Sequence, residues 1–263
     1  MSAFRDGLLA GRTAFVAGAS GGINLGIAQA LARAGAAVTV VSRSADRIAA
    51  AAATITEAGG RALGVAADVR EPEALQAAYA AAVAAFGPID IVVSGAAGNF
   101  PAAAAELSPK GFKTVVDIDL LGTFNVFRLS YEHLRKPGAS LIAITAPGAR
   151  RPGLNQVHAN AAKAGVNMVV QCLAMEWGQA GVRVNAISPG PISGTEGMAR
   201  LAASPEREQA IRSRLALRRY GEIEDIAQAA LYLAGDAGRY VTGAILDCDG
   251  GMVLGDASGA APR

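Results

Sequence analysis

An α/β fold, a doubly wound parallel sheet of about seven strands with helices on both faces, is what this sequence predicts. Three observations lead there. Short apolar runs recur along the chain with helical patterns between them. The first run, 12–17, passes into a glycine-rich turn and then a helical pattern at 25–34. The second run, 37–42, is apolar through Val38, Val40 and Val41, as a strand covered on both faces should be.

The elements follow in order. The turn Gly18-Ala-Ser20-Gly21-Gly22-Ile23-Asn24 stands where a phosphate-binding loop belongs. Its glycines permit a tight turn and let backbone N–H groups approach a pyrophosphate at the positive end of a helix. Taken alone, the pattern also describes an ordinary turn. After the second strand comes Ser42-Arg43-Ser44. A carboxylate there would accept from a free ribose 2′-OH. Arg43 instead offers a charged fork to a 2′-phosphate, which favours NADPH over NADH. The alternative is a solvated arginine at the start of the helix at 45–58. A third strand, 61–67, ends at Asp68-Val69, where the acid either faces an adenine amino group or merely precedes the helix at 72–86. Gly87-Pro88 leads into a fourth strand, 89–93, followed by Gly95, Asn99 and Phe100 at the strand end where open α/β sheets bind ligands. Long helical patterns occupy 111–135 and 155–180, and a sixth strand 182–188 precedes a helix beginning near Glu222.

The 263 residues suit one domain, 1–263, and 52% hydrophobic residues allow a large core. No run of about 18 uncharged apolar residues predicts a membrane span. The first residues lack the apolar centre of a signal peptide. A net charge of +2 argues for neither nucleic acid nor membrane as a partner. Cys172 and Cys248 make no metal spacing, so no metal site is expected, and they read as buried thiols of a cytoplasmic protein.

These motifs together resemble the short-chain dehydrogenase/reductase family, whose fold is of the Rossmann type, from Gly11 to about Leu254. The family's Thr-Gly-x-x-x-Gly-x-Gly matches Ala17 to Asn24, with Ala17 and Asn24 as departures. Asn24 replaces a glycine, so the backbone's approach to a pyrophosphate is expected to differ there. The family's Asn-Asn-Ala-Gly matches Gly95-Ala96-Ala97-Gly98, and its later motif matches Pro189-Gly190-Pro191-Ile192 with Thr195 following. Longer strings resemble the NADPH-dependent 2,4-dienoyl-CoA reductases, the peroxisomal type above all. They are Ala96-Ala-Gly-Asn-Phe100, Phe112 to Asp119, Gly122 to Val126, Gln156 to Ala159 and Pro189 to Gly197. The resemblance implies an NADPH/NADP+ cofactor, an acyl-CoA substrate and a homotetramer built on the two long helices.

The catalytic positions of the common family members are altered. With Lys163 as the fixed point, the tyrosine position holds Ala159, the serine position Ala146 and the asparagine position Asp119. Reduction of a ketone needs an acid beside the carbonyl oxygen. Reduction of a conjugated thioester needs hydride delivery to carbon, a stabilised oxyanion and a proton at carbon. Lys163 is expected to bind the nicotinamide ribose, and Asp119 to orient a water that relays the proton or else to pair with Lys163 for structure. Asp117 should face elsewhere. His158 is either a direct participant or a packed or surface histidine.

The segment 189–221 has the length of a substrate lid, with Ser193-Gly194 as a hinge. It carries Arg200, Arg207, Arg212, Arg214, Arg218 and Arg219, which either meet CoA phosphates or form a wet face. By resemblance Arg70, Arg200 and Ser108 are the candidates for CoA contacts, and Phe100 for the acyl chain. The expected activity is reduction of a 2,4-dienoyl-CoA to an enoyl-CoA in unsaturated fatty acid degradation. The alternatives are a trans-2-enoyl-CoA reductase, another short-chain oxidoreductase, and an inactive NADP-binding sensor.

Overall fold

The computed structural model describes residues 4, 5, 7–195, 197, 198 and 204–259. The described residues build a seven-stranded parallel sheet in the order β3-β2-β1-β4-β5-β6-β7. The strands are β1 (Thr13–Ala17), β2 (Ala37–Ser42), β3 (Arg61–Ala66), β4 (Ile91–Ser94), β5 (Ser140–Ile144), β6 (Arg183–Pro189) and β7 (Ile245–Cys248). The helices are α1 (Gly22–Arg33), α2 (Ala45–Glu57), α3 (Pro72–Phe86), α4 (Pro109–Val116), α5 (Gly122–Ser130), α6 (Val157–Trp177), α7 (Pro205–Arg214) and α8 (Ile223–Ala234).

Side-chain alternation along β1 divides the core. Ala14 and Val16 face one cluster with Ile27 and Leu31 of α1, Ile48 of α2 and Leu231 of α8. Phe15 and Ala17 face the other, with Leu75 and Tyr79 of α3, Phe127 of α5 and Val166 of α6. Both faces are thus covered by helices, which is why the strands are apolar without alternation.

Local chemistry sets the helix starts. Ser44 caps α2 by accepting from Arg47 N, and Ser108 caps α4 by accepting from Gly111 N at 3.0 Å, with Pro109 next. Glu222 and Asp225 form a reciprocal capping box on α8. α1 begins at Gly22, earlier than the apolar pattern suggested, because its first turn is the glycine-rich loop itself. The long helix expected at 111–135 is interrupted: a π-helical turn, Asp117–Leu121, separates α4 from α5. Such turns insert a residue and re-aim side chains, and they concentrate at functional sites.

The sheet order reverses between β1 and β4, so their C-terminal ends open the crevice. Their opposite ends are pinned by Asp90. Its buried carboxylate accepts from Thr13 N at 2.9 Å, Arg12 at 3.0 Å and Arg135 at 2.9 Å. No helix among the described residues is long and apolar enough to cross a membrane.

Replacing Asp90 with Ala strands the Thr13 N–H. A loss of about 1–3 kcal/mol in urea unfolding is expected, since the arginines stay half solvated. An unchanged midpoint would show that the pin is idle.

Candidate active site

A cleft of about 420 Å³ runs along the C-terminal ends of β1, β2 and β4. Gly18, Ser20, Gly21 and Gly22 line one side, Arg43, Asp68 and Val69 one end, and Gly95 the floor. The glycine loop has the backbone geometry that suits a phosphate group. Gly18 has φ +82°, and a Cβ there would lie 2.6 Å from Ala96 N. Gly22 has φ +58° with open space around its Cβ position. Both belong to the loop leading to the N-terminus of α1, where backbone N–H groups have no helical partner. Ile23, partly buried in the first turn of α1, packs against the core.

At Asn24 the structure shows where the side chain goes. The residue lies inside α1 in helical conformation, and its side chain does the work. The carboxamide Nδ2 donates to Gly18 O at 3.2 Å and to Gly95 O at 2.8 Å.

Arg43 lines the cleft and does not cap α2, a task that Ser44 performs. A second arginine, Arg47 from the first turn of α2, lines the same end; sequence reading missed it because its side chain reaches the cleft only through the helix's direction. Asp68 is gripped by Arg70 through backbone N at 2.9 Å, Nε at 3.0 Å and Nη2 at 2.7 Å. That hydrogen-bonded guanidinium holds the Asp68 carboxyl below the usual range. Arg70 therefore sits at this end of the cleft.

The chemical centre lies where the π turn meets α6. Asp119 is 1% exposed and Asp117 is not buried; Asp117 pairs with Lys113 at 2.6 Å. Asp119 Oδ1 accepts from Gly98 N at 2.8 Å, and Oδ2 lies 3.3 Å from Lys163 Nζ. Lys163 also donates to Ile144 O at 2.9 Å. Thr123 donates to Asp119 O at 2.7 Å and receives Ser94 Oγ at 3.1 Å. Ala159 packs with Ala162 and Val115, so no hydroxyl stands where the common family tyrosine would.

His158 is fully buried, and its Nε2 meets Phe100 O at 2.9 Å. The carbonyl only accepts, so Nε2 carries the proton. The imidazole also packs on the Phe100 ring at 4.7 Å. His158 thus holds the half-exposed Phe100 in place. Of the roles open to it from sequence, direct, packed or surface, burial excludes the surface one.

Pro189 ends β6, and Gly190 passes so close to Asp249 that a Cβ would lie 2.5 Å from its Cα. Ile192 is buried and bridges to Gly221. Thr195 donates to Ile192 O at 2.8 Å. Gly194, expected as part of a hinge, lines the cleft, as do Ala97 and Ile118, which the sequence placed only within longer motif strings. Ser108 spends its oxygen on the α4 cap. Arg200 lies outside the described residues. Several other arginines of this segment are engaged within the protein. Arg212 pairs with Glu208, Arg214 with Asp256 and Arg219 with Asp225, and Arg218 donates to Ala257 O. One cysteine also departs from expectation: Cys172 is exposed on α6, whereas burial pushes the Cys248 thiol's pKa up.

The family model described as enoyl-(acyl carrier protein) reductase matches residues 18–253. The peroxisomal 2,4-dienoyl-CoA reductase [(3E)-enoyl-CoA-producing] of Danio rerio is 42% identical over 95% of this chain and 84% of its own. The enzyme of the same description from Pongo abelii is 44% identical over 95% of this chain and 87% of its own. Among solved structures, a short-chain dehydrogenase/reductase from Serratia marcescens superposes with a TM-score of 0.86 at 33% identity, covering 93% of this chain and 99% of that one. With its seven-stranded sheet, glycine loop and Lys163, the chain belongs to the short-chain dehydrogenase/reductase family, and within it resembles the 2,4-dienoyl-CoA reductases.

Proposed function

We propose that this protein reduces a 2,4-dienoyl-CoA to an enoyl-CoA with NADPH, in the degradation of unsaturated fatty acids. One observation carries the reading: a buried Asp119–Lys163 pair, 3.3 Å apart, stands beside alanines at the tyrosine and serine positions. The relatives' printed product supports a (3E)-enoyl thioester here too.

When bound, NADPH supplies the hydride. Arg43 and Arg47 meet its 2′-phosphate, and Asp68 and Val69 flank the adenine end. The glycine loop holds the pyrophosphate, and Pro189, Gly190, Ile192 and Thr195 border the carboxamide side. Lys163 binds the nicotinamide ribose hydroxyls. Asp119, held by Gly98 N–H and Lys163, orients a water that delivers the proton to substrate carbon. Phe100, fixed by His158, packs on the acyl chain. Arg70, Arg200 and the hydroxyl hydrogen of Ser108 serve the CoA moiety.

The chain acts as one domain, with the segment 189–221 as the lid. α7, which buries none of its side chains, supports a loosely held cover. The assembly is a homotetramer, supported by apolar Leu121, Phe124, Met168 and Met175 exposed on α6 and around α5. Two free cysteines support a cytoplasmic setting, while the relatives named above are peroxisomal. A second reading, a 2-enoyl thioester reductase, is favoured by the description of the matching family model. An assay offering both thioesters separates the two.

Following NADPH absorbance with a 2,4-dienoyl-CoA tests the activity. Asp119→Asn, which keeps an acceptor for Gly98 N–H, is expected to lower kcat by about 10²–10⁴ while NADPH affinity holds. Turnover indifferent to this change would remove Asp119 from the proton path, and absence of turnover in the wild type would remove the reaction.

Arg43→Ala is expected to weaken NADPH binding by about 10-fold or more and leave NADH binding nearly unchanged. Equal effects on both cofactors would sink the 2′-phosphate assignment.

A further inference from the structure

Two departures from the family pattern, Asn24 for a glycine and Gly95 for an asparagine, meet in space. Asn24 is 8% exposed in the first turn of α1. Its Nδ2 reaches Gly18 O at 3.2 Å and Gly95 O at 2.8 Å, joining the phosphate loop to the end of β4. The reverse amide orientation would set Oδ1 against two carbonyl oxygens, so the contacts fix the side chain's orientation. Oδ1 is then buried with no donor among the described residues. An acceptor left without a donor is unfavourable, and glycine at this position would remove it. Stability of α1 alone therefore does not account for the residue.

Gly95 supplies the matching half. A Cβ there would overlap the carboxamide, whose Cγ and Nδ2 lie 2.5 Å from that point. The volume that an asparagine at 95 would enter is the one that Asn24 fills from the helix. Gly18 and Gly95 both line the cleft and their backbones abut, so the Asn24 bridge fixes how these two walls of the cleft meet.

We infer that Asn24 is a positioning residue for the dinucleotide, clasping the Gly18 loop to Gly95 in a reciprocal exchange of side chain between α1 and the end of β4. The inference rests on the reading of this cleft as a nicotinamide dinucleotide site. Asn24 acts through the two backbone carbonyls and not by touching the ligand.

The test titrates NADPH and NADH into the wild type, Asn24→Gly, Gly95→Asn and the double variant by fluorescence. It also follows amide hydrogen exchange at 17–24 and 94–98 in the cofactor-free protein. Asn24→Gly is expected to raise the dinucleotide Kd and KM by about 10-fold, with little of the loss in kcat, and to speed exchange in both segments. Gly95→Asn alone should lose at least as much, because two side chains then compete for one volume. The double variant should return to within about threefold of the wild-type Kd, a coupling that contacting residues show. Losses that simply add in the double variant would overturn the inference. So would wild-type affinity and exchange in Asn24→Gly. A wild type that binds neither dinucleotide would overturn the cofactor reading and the clasp with it.

Discussion

The Lys163 ammonium is held between two acceptors, the Ile144 carbonyl at 2.9 Å and the Asp119 carboxylate at 3.3 Å. That arrangement ties β5, the π turn and α6 together at one point. Through Asp119 and Gly98 N it also fixes the loop after β4. The energetics of the pair argue that it serves chemistry. A buried ion pair is often no more stabilising than apolar residues of the same shape, while breaking one side costs about 3–5 kcal/mol. Where common family members are expected to carry a neutral asparagine, Asp119 brings a charge that must be matched, and Lys163 lies 3.3 Å from it.

On the proposed reading, the same pair lets a reductase work without the usual tyrosine. A carbonyl reduction needs a proton at a developing alkoxide, and Ala159 and Ala146 leave no hydroxyl for that. A conjugated thioester spreads charge away from the reacting carbon, so placement and a proton at carbon suffice. The chain then invests in placement. His158 holds Phe100 by hydrogen bond and ring contact, and Asn24 holds the phosphate loop to the cleft floor. Each is a buried polar side chain acting on backbone near the cleft.

Much of this was legible in the residues. The apolar runs and glycine turns located β1 to β4 and β6 to within two residues, because strands covered on both faces leave unbroken apolar stretches. Asp119 and Lys163 emerged by counting from a fixed lysine. The rest depended on three-dimensional reach. The π turn at Asp117–Leu121 has no composition signal and replaces what reads as one long helix. Arg47 reaches the cleft from α2, and Asn24 acts through its side chain where its backbone had drawn attention. The arginines after β6 read as phosphate ligands by charge, yet several meet carboxylates that lie four to forty-two residues away.

The most direct measurement is turnover of a 2,4-dienoyl-CoA with NADPH in D₂O, with the product read by NMR. The account predicts an enoyl-CoA with its double bond at C3, solvent deuterium at C2 and the cofactor's hydrogen at C5. A product reduced at a carbonyl, or one carrying no solvent deuterium on carbon, would contradict an Asp119-directed water as the proton source.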